Sequence, residues 1–315
     1  MRIGQALLLL SAFLGLEARA QEMSILGGDP AALVFSLEHQ GEAAPKANPN
    51  LSIEEQKASA AIPIYNQGNW IGGIALRGQR TRLGQELRFS NRGLQIPQDF
   101  ATAEAGFFLS HVDESNQRFG LSATYGTAGH RLLDEGRTPI VTATFSFEKP
   151  IEEGRSWIYF LNYSNNRTFW NHIPLPGFAY AIKEKSRTLI LGLPFLFANW
   201  RMDPYYVTAI IYPIGAMTEF SWRFWGPLMT YSSLGWQPKA YQNLVQGSDE
   251  RLIYTRKELA AGLRLFAGRK GSLSIGYVWN FDRRLFIGTS LTQVSEDVID
   301  VDDSGGVQIK ARASF

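Results

Sequence analysis

The sequence predicts an all-β protein, an antiparallel up-and-down barrel closed within a membrane, and three observations predict it. Residues Gly306 to Phe315 alternate, with Val307, Ile309, Ala311, Ala313 and Phe315 on one side and Gln308, Lys310, Arg312 and Ser314 on the other. Side chains of a strand point to opposite faces in turn, so such a segment needs an apolar environment on one side and water on the other. Past residue 21 no apolar run is long enough for a spanning helix, although the chain is 45% hydrophobic and 13% aromatic. In lipid every backbone N–H and C=O must be paired within the protein, and without helices only a closed barrel achieves this. The connections form the third observation: short polar joins alternate with long ones, the habit of barrels with periplasmic turns and outer loops.

Taken in order, the N-terminus reads as an export signal. Arg2 supplies the positive start, Ala6 to Leu16 the apolar core, and Ala18-Arg19-Ala20 a small-x-small cleavage site. The organisation is therefore a signal peptide over 1–20 and one barrel domain over 21–315. Stripes follow at Leu33/Phe35/Leu37, Ala58/Ala60/Ile62/Ile64, Trp70/Gly72/Ile74/Leu76, Ala103/Ala105/Phe107/Leu109 and Phe119/Leu121/Ala123/Tyr125. Further stripes run through Val141/Ala143/Phe145/Phe147, Trp157/Tyr159/Leu161/Tyr163, Leu189/Leu191/Leu193/Phe195, Phe220/Trp222/Phe224 and Leu259/Ala261/Leu263/Leu265. Leu273/Ile275/Tyr277/Trp279/Phe281 and the terminal segment are the cleanest, and Pro204–Pro213 and Gly226–Trp236 are strand-like without a clear facing. The count is about 14 strands, with 12 or 16 left open, and the turn near Ile214-Gly215 is the one connection that breaks the short-long rhythm.

Composition narrows function. There is no Cys, so neither disulfides nor thiolate chemistry are available. The precursor carries a net charge of +2, and removal of Arg2, Glu17 and Arg19 leaves +1, with no concentrated basic face for a nucleic acid. A β-sandwich would also alternate, but it would need only some seven to nine strands and would turn its charges outward. Here aromatics such as Trp70, Tyr125, Trp157, Tyr163 and Trp279 sit at stripe ends, where interfacial girdles lie, and charges occupy the opposite faces.

The chain as a whole resembles the bacterial outer-membrane β-barrel proteins, through Val307, Ile309 and the terminal Phe315, and more narrowly a family of such barrels with no assigned function. The narrower resemblance rests on Tyr159 to Asn166 (YFLNYSNN), Leu175-Pro176-Gly177-Phe178-Ala179-Tyr180 and Leu191-Gly192-Leu193-Pro194-Phe195. It implies residence in the outer membrane, contact with its lipid and lipopolysaccharide, and recognition of Phe315 by the barrel-insertion machinery. It implies no reaction.

The candidate site is the lumen. Glu38, Glu104 and Glu219 interleave there with Lys57, Arg77, Arg223, Arg264, Lys310 and Arg312, an excess of positive charge that favours anions if water fills the interior. If the charges pair with one another, the same residues hold a narrow barrel shut. The segment Asn165 to Lys185 is too apolar for a solvated loop, and its Phe169, Trp170, His172 and Phe178 form a candidate constriction. Four histidines, His39, His111, His130 and His172, stand in no nucleophile–base pairing, so the chain is not expected to be an enzyme. No metal or cofactor is expected: histidine pairs with ligand spacing are absent, and the acidic run Glu296 to Gly305 fails as a calcium loop because its bidentate position holds Ala311. Three functions remain: a porin-like passive pore for small solutes, a non-conducting structural or surface-interaction barrel with a plugged lumen, and a membrane-embedded hydrolase. The sequence does not separate the first two, nor does it give the oligomeric state.

Overall fold

The computed structural model describes residues 33–42, 52–89, 93–129, 138–167, 170–213, 215–236, 238–241, 250–267, 271–291 and 293–314. Residues 1–20, read from the sequence as an export signal, and His130, Phe169 and Phe315 lie outside the described residues.

The first strands are β1 (Val34–Glu42), β2 (Ile53–Gln67) and β3 (Trp70–Leu83), followed by a small hairpin of β4 (Leu87–Arg88) and β5 (Gln95–Ile96). Then come β6 (Asp99–Val112), β7 (Arg118–Gly129), β8 (Thr138–Glu152), β9 (Arg155–Ser164), β10 (Leu175–Lys183), β11 (Arg187–Leu193), β12 (Leu196–Met202) and β13 (Tyr205–Tyr212). The chain ends through β14 (Gly215–Trp225), β15 (Leu228–Trp236), β16 (Lys239–Ala240), β17 (Arg251–Phe266), β18 (Gly271–Gly288), β19 (Val294–Val301) and β20 (Ser304–Ser314). Each wall strand pairs antiparallel with the next, and β20 returns to β1 in register from Val34 opposite Ser314 to Glu42 opposite Gly306. The ring is closed by 16 strands. β16 and β19 only extend the sheet beside the outer parts of β17 and β18, and the β4–β5 hairpin stands apart from the wall.

Sixteen lies within the range read from the sequence, two above its main count of 14, and the two added strands are β10 and β12. Neither announces itself by alternation. Both faces of β10 are apolar up to Ile182, and in β12 the inward row opens on Phe197 before Asn199 and Arg201. The inward Ile158, Phe160, Ala179, Ala181, Ile190 and Phe197 form a cluster with Phe195, which replaces part of the polar row expected of a wet lumen. Pro176 and Gly177 also read as turn residues, yet the Phe160 ring lies over Gly177 so closely that a Cβ would sit 2.0 Å from it. With β10 and β12 in place, the connection between β13 and β14 falls on the outer side, and like that between β11 and β12 it is as short as the turns at the other end.

The wall is inverted relative to a water-soluble protein. Phe35, Leu37, Phe107, Leu121, Tyr159, Leu161, Leu263, Leu273, Ile275, Trp279 and Ile309 are exposed on the outside, while the residues between them turn inward. Aromatics mark the turn end: Trp70 stacks on His111 with ring centroids 4.2 Å apart, Phe119 lies 4.9 Å from Phe147, and Trp157 lies 5.2 Å from Tyr180. Their half-apolar rings suit the boundary between hydrocarbon and headgroups. In the exposed turn between β10 and β11, hydrogen bonds from Arg187 to Glu184 (2.8 Å each) hold that carboxyl below its ordinary range.

The outward row has to be apolar for thermodynamic reasons, and this is testable. Ile275 faces outward between Leu263 and Ile309. Ile275→Arg is expected to destabilise the barrel by about 2–4 kcal/mol, the cost of a guanidinium near the bilayer midplane. Reversible denaturant unfolding in lipid vesicles reads the loss, and an unchanged midpoint would contradict the lipid-facing placement.

Candidate functional site: the barrel lumen

Strand parity decides which side chains meet in the interior. On β1 the even residues point inward, and cross-strand register carries this facing around the ring to Lys57 (opposite Glu38), Arg77 (opposite Glu104), Lys310 (opposite Glu38) and Arg312 (opposite Ser36). On the far side, Glu219 faces Ser233 and Arg264 faces Met229, and Arg223 lies at the turn end of β14. All nine charges named from the sequence therefore share the inner face.

Eight of the nine are gathered with partners of opposite sign. The Arg264 guanidinium donates to both oxygens of Glu219 at 2.6 and 2.9 Å and to Ser274 at 3.0 Å, and it lies 4.8 Å from the Tyr231 ring centroid. Both members are buried, and the two-pronged geometry is what a buried ion pair needs to offset its desolvation. Glu38 lies 3.6 Å from Lys57 and 3.7 Å from Lys310, and it accepts a 2.9 Å hydrogen bond from Gln308. Arg77 lies 4.0 Å from Glu104, which also accepts from Thr124 at 3.0 Å. Arg223 meets Asp203 at 3.2 Å and the Tyr206 hydroxyl. At the same end Glu148 receives Ser156 at 2.6 Å, Arg118 at 3.4 Å and Lys183.

A polar row enclosed by a wall whose outside is greasy has one physical explanation. The chain is a β-barrel of the outer-membrane type. No family model and no curated protein matches its sequence. Among solved structures it is similar in form to an outer membrane channel from Pseudomonas putida F1, at 12% identity over 90% of this chain and 96% of that one, with a TM-score of 0.36. The Pseudomonas putida toluene transporter TodX matches at 9% identity over 92% and 90% of the two chains, with a TM-score of 0.37. The β domain of the Bordetella autotransporter BrkA matches at 11% identity over 90% and 99%, with a TM-score of 0.33. Likeness at this level carries no argument about what the barrel does.

The outer end of the lumen holds a second network that the sequence reading missed. Arg256 of β17 reaches Glu55 of β2 at 3.0 Å and Glu258 at 3.2 Å, and Lys239 reaches both oxygens of Glu55 at 2.8 Å. Arg283 of β18 donates to Glu42 of β1 at 2.6 Å, to Ser304 at 2.7 Å and to the Tyr254 hydroxyl at 3.0 Å. These bonds run as short chords on one side of the ring, from β18 over β20 to β1 and from β17 over β18, β20 and β1 to β2, and Arg256 and Arg283 are only 2% exposed each. On their outer side, at the loop ends of the strands, lies an apolar cluster. Phe89 and Ile96, folded inward from the segment between β3 and β6, pack with Ile53, Leu83, Phe100, Leu252, Leu285, Ile287 and Tyr241. The Tyr241 hydroxyl bonds Thr81 at 3.2 Å, and burial pushes its pKa well above the ordinary tyrosine value, so it stays neutral.

The candidate constriction is placed differently from expectation. Phe178 belongs to β10, opposite Tyr159 and Leu193, and points out toward lipid, where it cannot narrow the lumen. Its parity was hidden by the missing strand. Trp170 and His172 are exposed on the loop 165–174 rather than drawn into the mouth. What that loop does contribute is a tie over the mouth. Arg167 donates to the Asn162 carbonyl (2.8 Å) and side-chain oxygen (2.7 Å) and to the Ile173 carbonyl (3.0 Å). Arg251 of β17, far around the ring, bonds Asn166 and the Asn165 carbonyl. The Asn-rich motif is thus a loop anchor. Of the histidines, His39 and His111 face outward, the latter against Trp70.

The Glu219–Arg264 pair gives a stability test. Glu219→Leu or Arg264→Met alone leaves a buried charge without its partner and is expected to cost about 3–5 kcal/mol. The double change Glu219→Leu with Arg264→Met is expected to cost much less than the sum, because neither charge remains buried. Denaturant unfolding of the four proteins measures the coupling, and additive losses would show that the pair is not a unit.

Proposed function

We propose that this chain is a passive transport barrel of the bacterial outer membrane, carrying small solutes through a lumen that rests closed at its outer mouth. Residues 1–20 would export it through the Sec route, and the terminal strand ending on Phe315 would present it to the insertion machinery. Its outward apolar belt would then be covered by lipid, and by lipopolysaccharide on the outer side.

One observation carries the reading: the two halves of the lumen are built differently. At the outer end the charges are dry and bridged, and the seal is completed by a hairpin that is not part of the wall. Nearer the turn end, cations remain reachable by water. A barrel serving only as a scaffold needs no separable plug, whereas a regulated pore does. Among the described residues His39 and His111 face outward, away from the lumen, which gives the hydrolase reading no support from either.

Single-channel recording tests this with the full chain and with a variant in which residues 87–96 are replaced by a short Gly-Ser link. The full chain is expected to give rare openings, and the variant at least about tenfold more open time, as expected when a closed state loses more than one kcal/mol of stabilisation. A variant that folds, judged by its heat-modifiable mobility, and still passes no current would favour the plugged structural barrel instead.

A further inference from the structure

On the lipid-facing side of β20, β1, β2, β3, β6 and β7 the wall is hollowed. Two open hollows of about 1050 and 870 Å³ share Leu37, Ala58, Gly78 and Ala103 and join into one groove. Register sets Ala58, Gly78 and Ala103 side by side on three neighbouring strands as its floor. Leu37 and Ile309 border it on one side, and Leu76 and Tyr125 close its lower end. Apart from its neighbours in the chain, a Cβ built on Gly78 would meet no atom closer than 3.9 Å, so the backbone there is bare toward the membrane. Elsewhere the same face carries Leu263, Leu273 and Ile275, whose bulk leaves lipid no such entry.

Toward the loops the groove turns polar. Its next level brings together His39, Gln56 and Arg80, and the level above that Glu54, Arg82 and Asp99. Arg80 lies ten residues along β3 from Trp70 of the turn-end girdle. For a strand tilted by about 40° this is about 25 Å of height, the whole apolar band, so Arg80 and Arg82 stand at the outer boundary of the hydrocarbon. Two guanidinium groups and two carboxylates balance there, and what separates them is their engagement. Arg80 holds Asp99 at 2.9 Å, while Glu54 accepts a 2.9 Å hydrogen bond from Gln56 and lies 3.7 Å from His39. Arg82, opposite Glu54 on the neighbouring strand, enters no ion pair or side-chain hydrogen bond among the described residues. An exposed guanidinium at headgroup level with no carboxylate on it is a bidentate donor for phosphate.

We infer that this groove is a lipopolysaccharide site: an acyl chain lies along Ala58, Gly78 and Ala103, and a phosphate of the glycolipid rests on Arg82. The choice of this lipid rests on the outer-membrane reading, which turns the loop end of the wall to the outer leaflet. A second copy of the chain is the poorer occupant. Its wall would strip water from Arg80, Arg82, Glu54 and Asp99 and supply no phosphate in return.

Titration of the detergent-solubilised full chain with short-core lipopolysaccharide, read by native mass spectrometry, tests this. One molecule retained per chain is expected. Gly78→Leu with Ala103→Leu fills the floor and is expected to weaken retention at least about tenfold, and Arg82→Gln about fivefold, the equivalent of about 1 kcal/mol. Ala261→Leu, on an outward position of β17 away from the groove, is expected to leave it unchanged. Heat-modifiable mobility checks that each variant is folded. The inference is overturned if the folded chain retains no lipopolysaccharide, if the filled variant retains it as the parent does, or if phosphatidylglycerol is held in preference. It is also overturned if filling the groove dissociates a dimer instead of releasing lipid. The transport reading fails separately: a folded chain lacking residues 87–96 that never conducts would end that reading and keep the lipid site.

Discussion

The whole arrangement depends on the hydrogen-bonded seam between β1 and β20. In hydrocarbon an open sheet edge leaves a row of backbone donors and acceptors without partners, each costing several kcal/mol. The nine aligned pairs from Val34–Ser314 to Glu42–Gly306 remove that edge. They also fix parity for the entire wall, because a slip of one residue at the seam would turn Leu37 and Ile309 inward and Glu38 and Lys310 out to lipid. The penalty for such a slip falls on every residue of the strand at once, which is why a seam between the two ends of the chain can be specified without any special motif.

Once parity is set, the interior has to solve a different problem. Sixteen strands enclose more volume than wall side chains alone readily fill. Three materials occupy it here. Apolar side chains from β9 to β13 thicken one side of the wall, short guanidinium–carboxylate chords join β17 and β18 to β1 and β2 near the outer end, and the folded hairpin with Tyr241 packs on their outer side. Replacing the chords by hydrophobic groups could well match them in stability. What charges add is geometry: Arg256 and Arg283 fix β17 and β18 relative to β1 and β2 by bonds that tolerate little displacement, whereas greasy contacts would permit sliding.

The fold was legible where the two faces differ in polarity. β18 and β20 could be read residue by residue because lipid lies on one side and serine, lysine or arginine on the other. β10 and β12 could not, because Ala179, Ala181 and Phe197 face an apolar patch of the lumen and erase the contrast. The lumen charges were legible for the same reason that the good strands were, since parity alone places Glu38, Lys57 and Lys310 inside. Their partners across the ring were not, because nothing local ties Glu55 to Arg256, 201 residues apart. The plug was hidden more completely still. Phe89 and Ile96 sit in a segment rich in Arg, Gln, Ser and Asn that looks like an ordinary outer loop, and only the cavity they fill explains them. The apolar stretch after Asn165 drew attention instead, although its aromatics are apolar because β10 faces lipid.

Magnitudes indicate which part of the seal can move. Phe89 and Ile96 are the hairpin's fully buried anchors, each contributing about 1.5–3 kcal/mol by leaving water. Their joint release, about 3–6 kcal/mol, corresponds to an open population of roughly one in a hundred to one in ten thousand, a range that a ligand or a membrane force can shift. Breaking the chords costs more, since a single buried charge stripped of its partner costs about 3–5 kcal/mol and the Arg256–Glu55–Lys239 and Arg283–Glu42 groups would have to part together. The hairpin is therefore the moving element and the chords are part of the frame. Any path through the outer mouth opens beside Phe100 and Leu83, on the β3–β6 side where the hairpin is rooted, and continues down the same wall past Arg77 and Lys57.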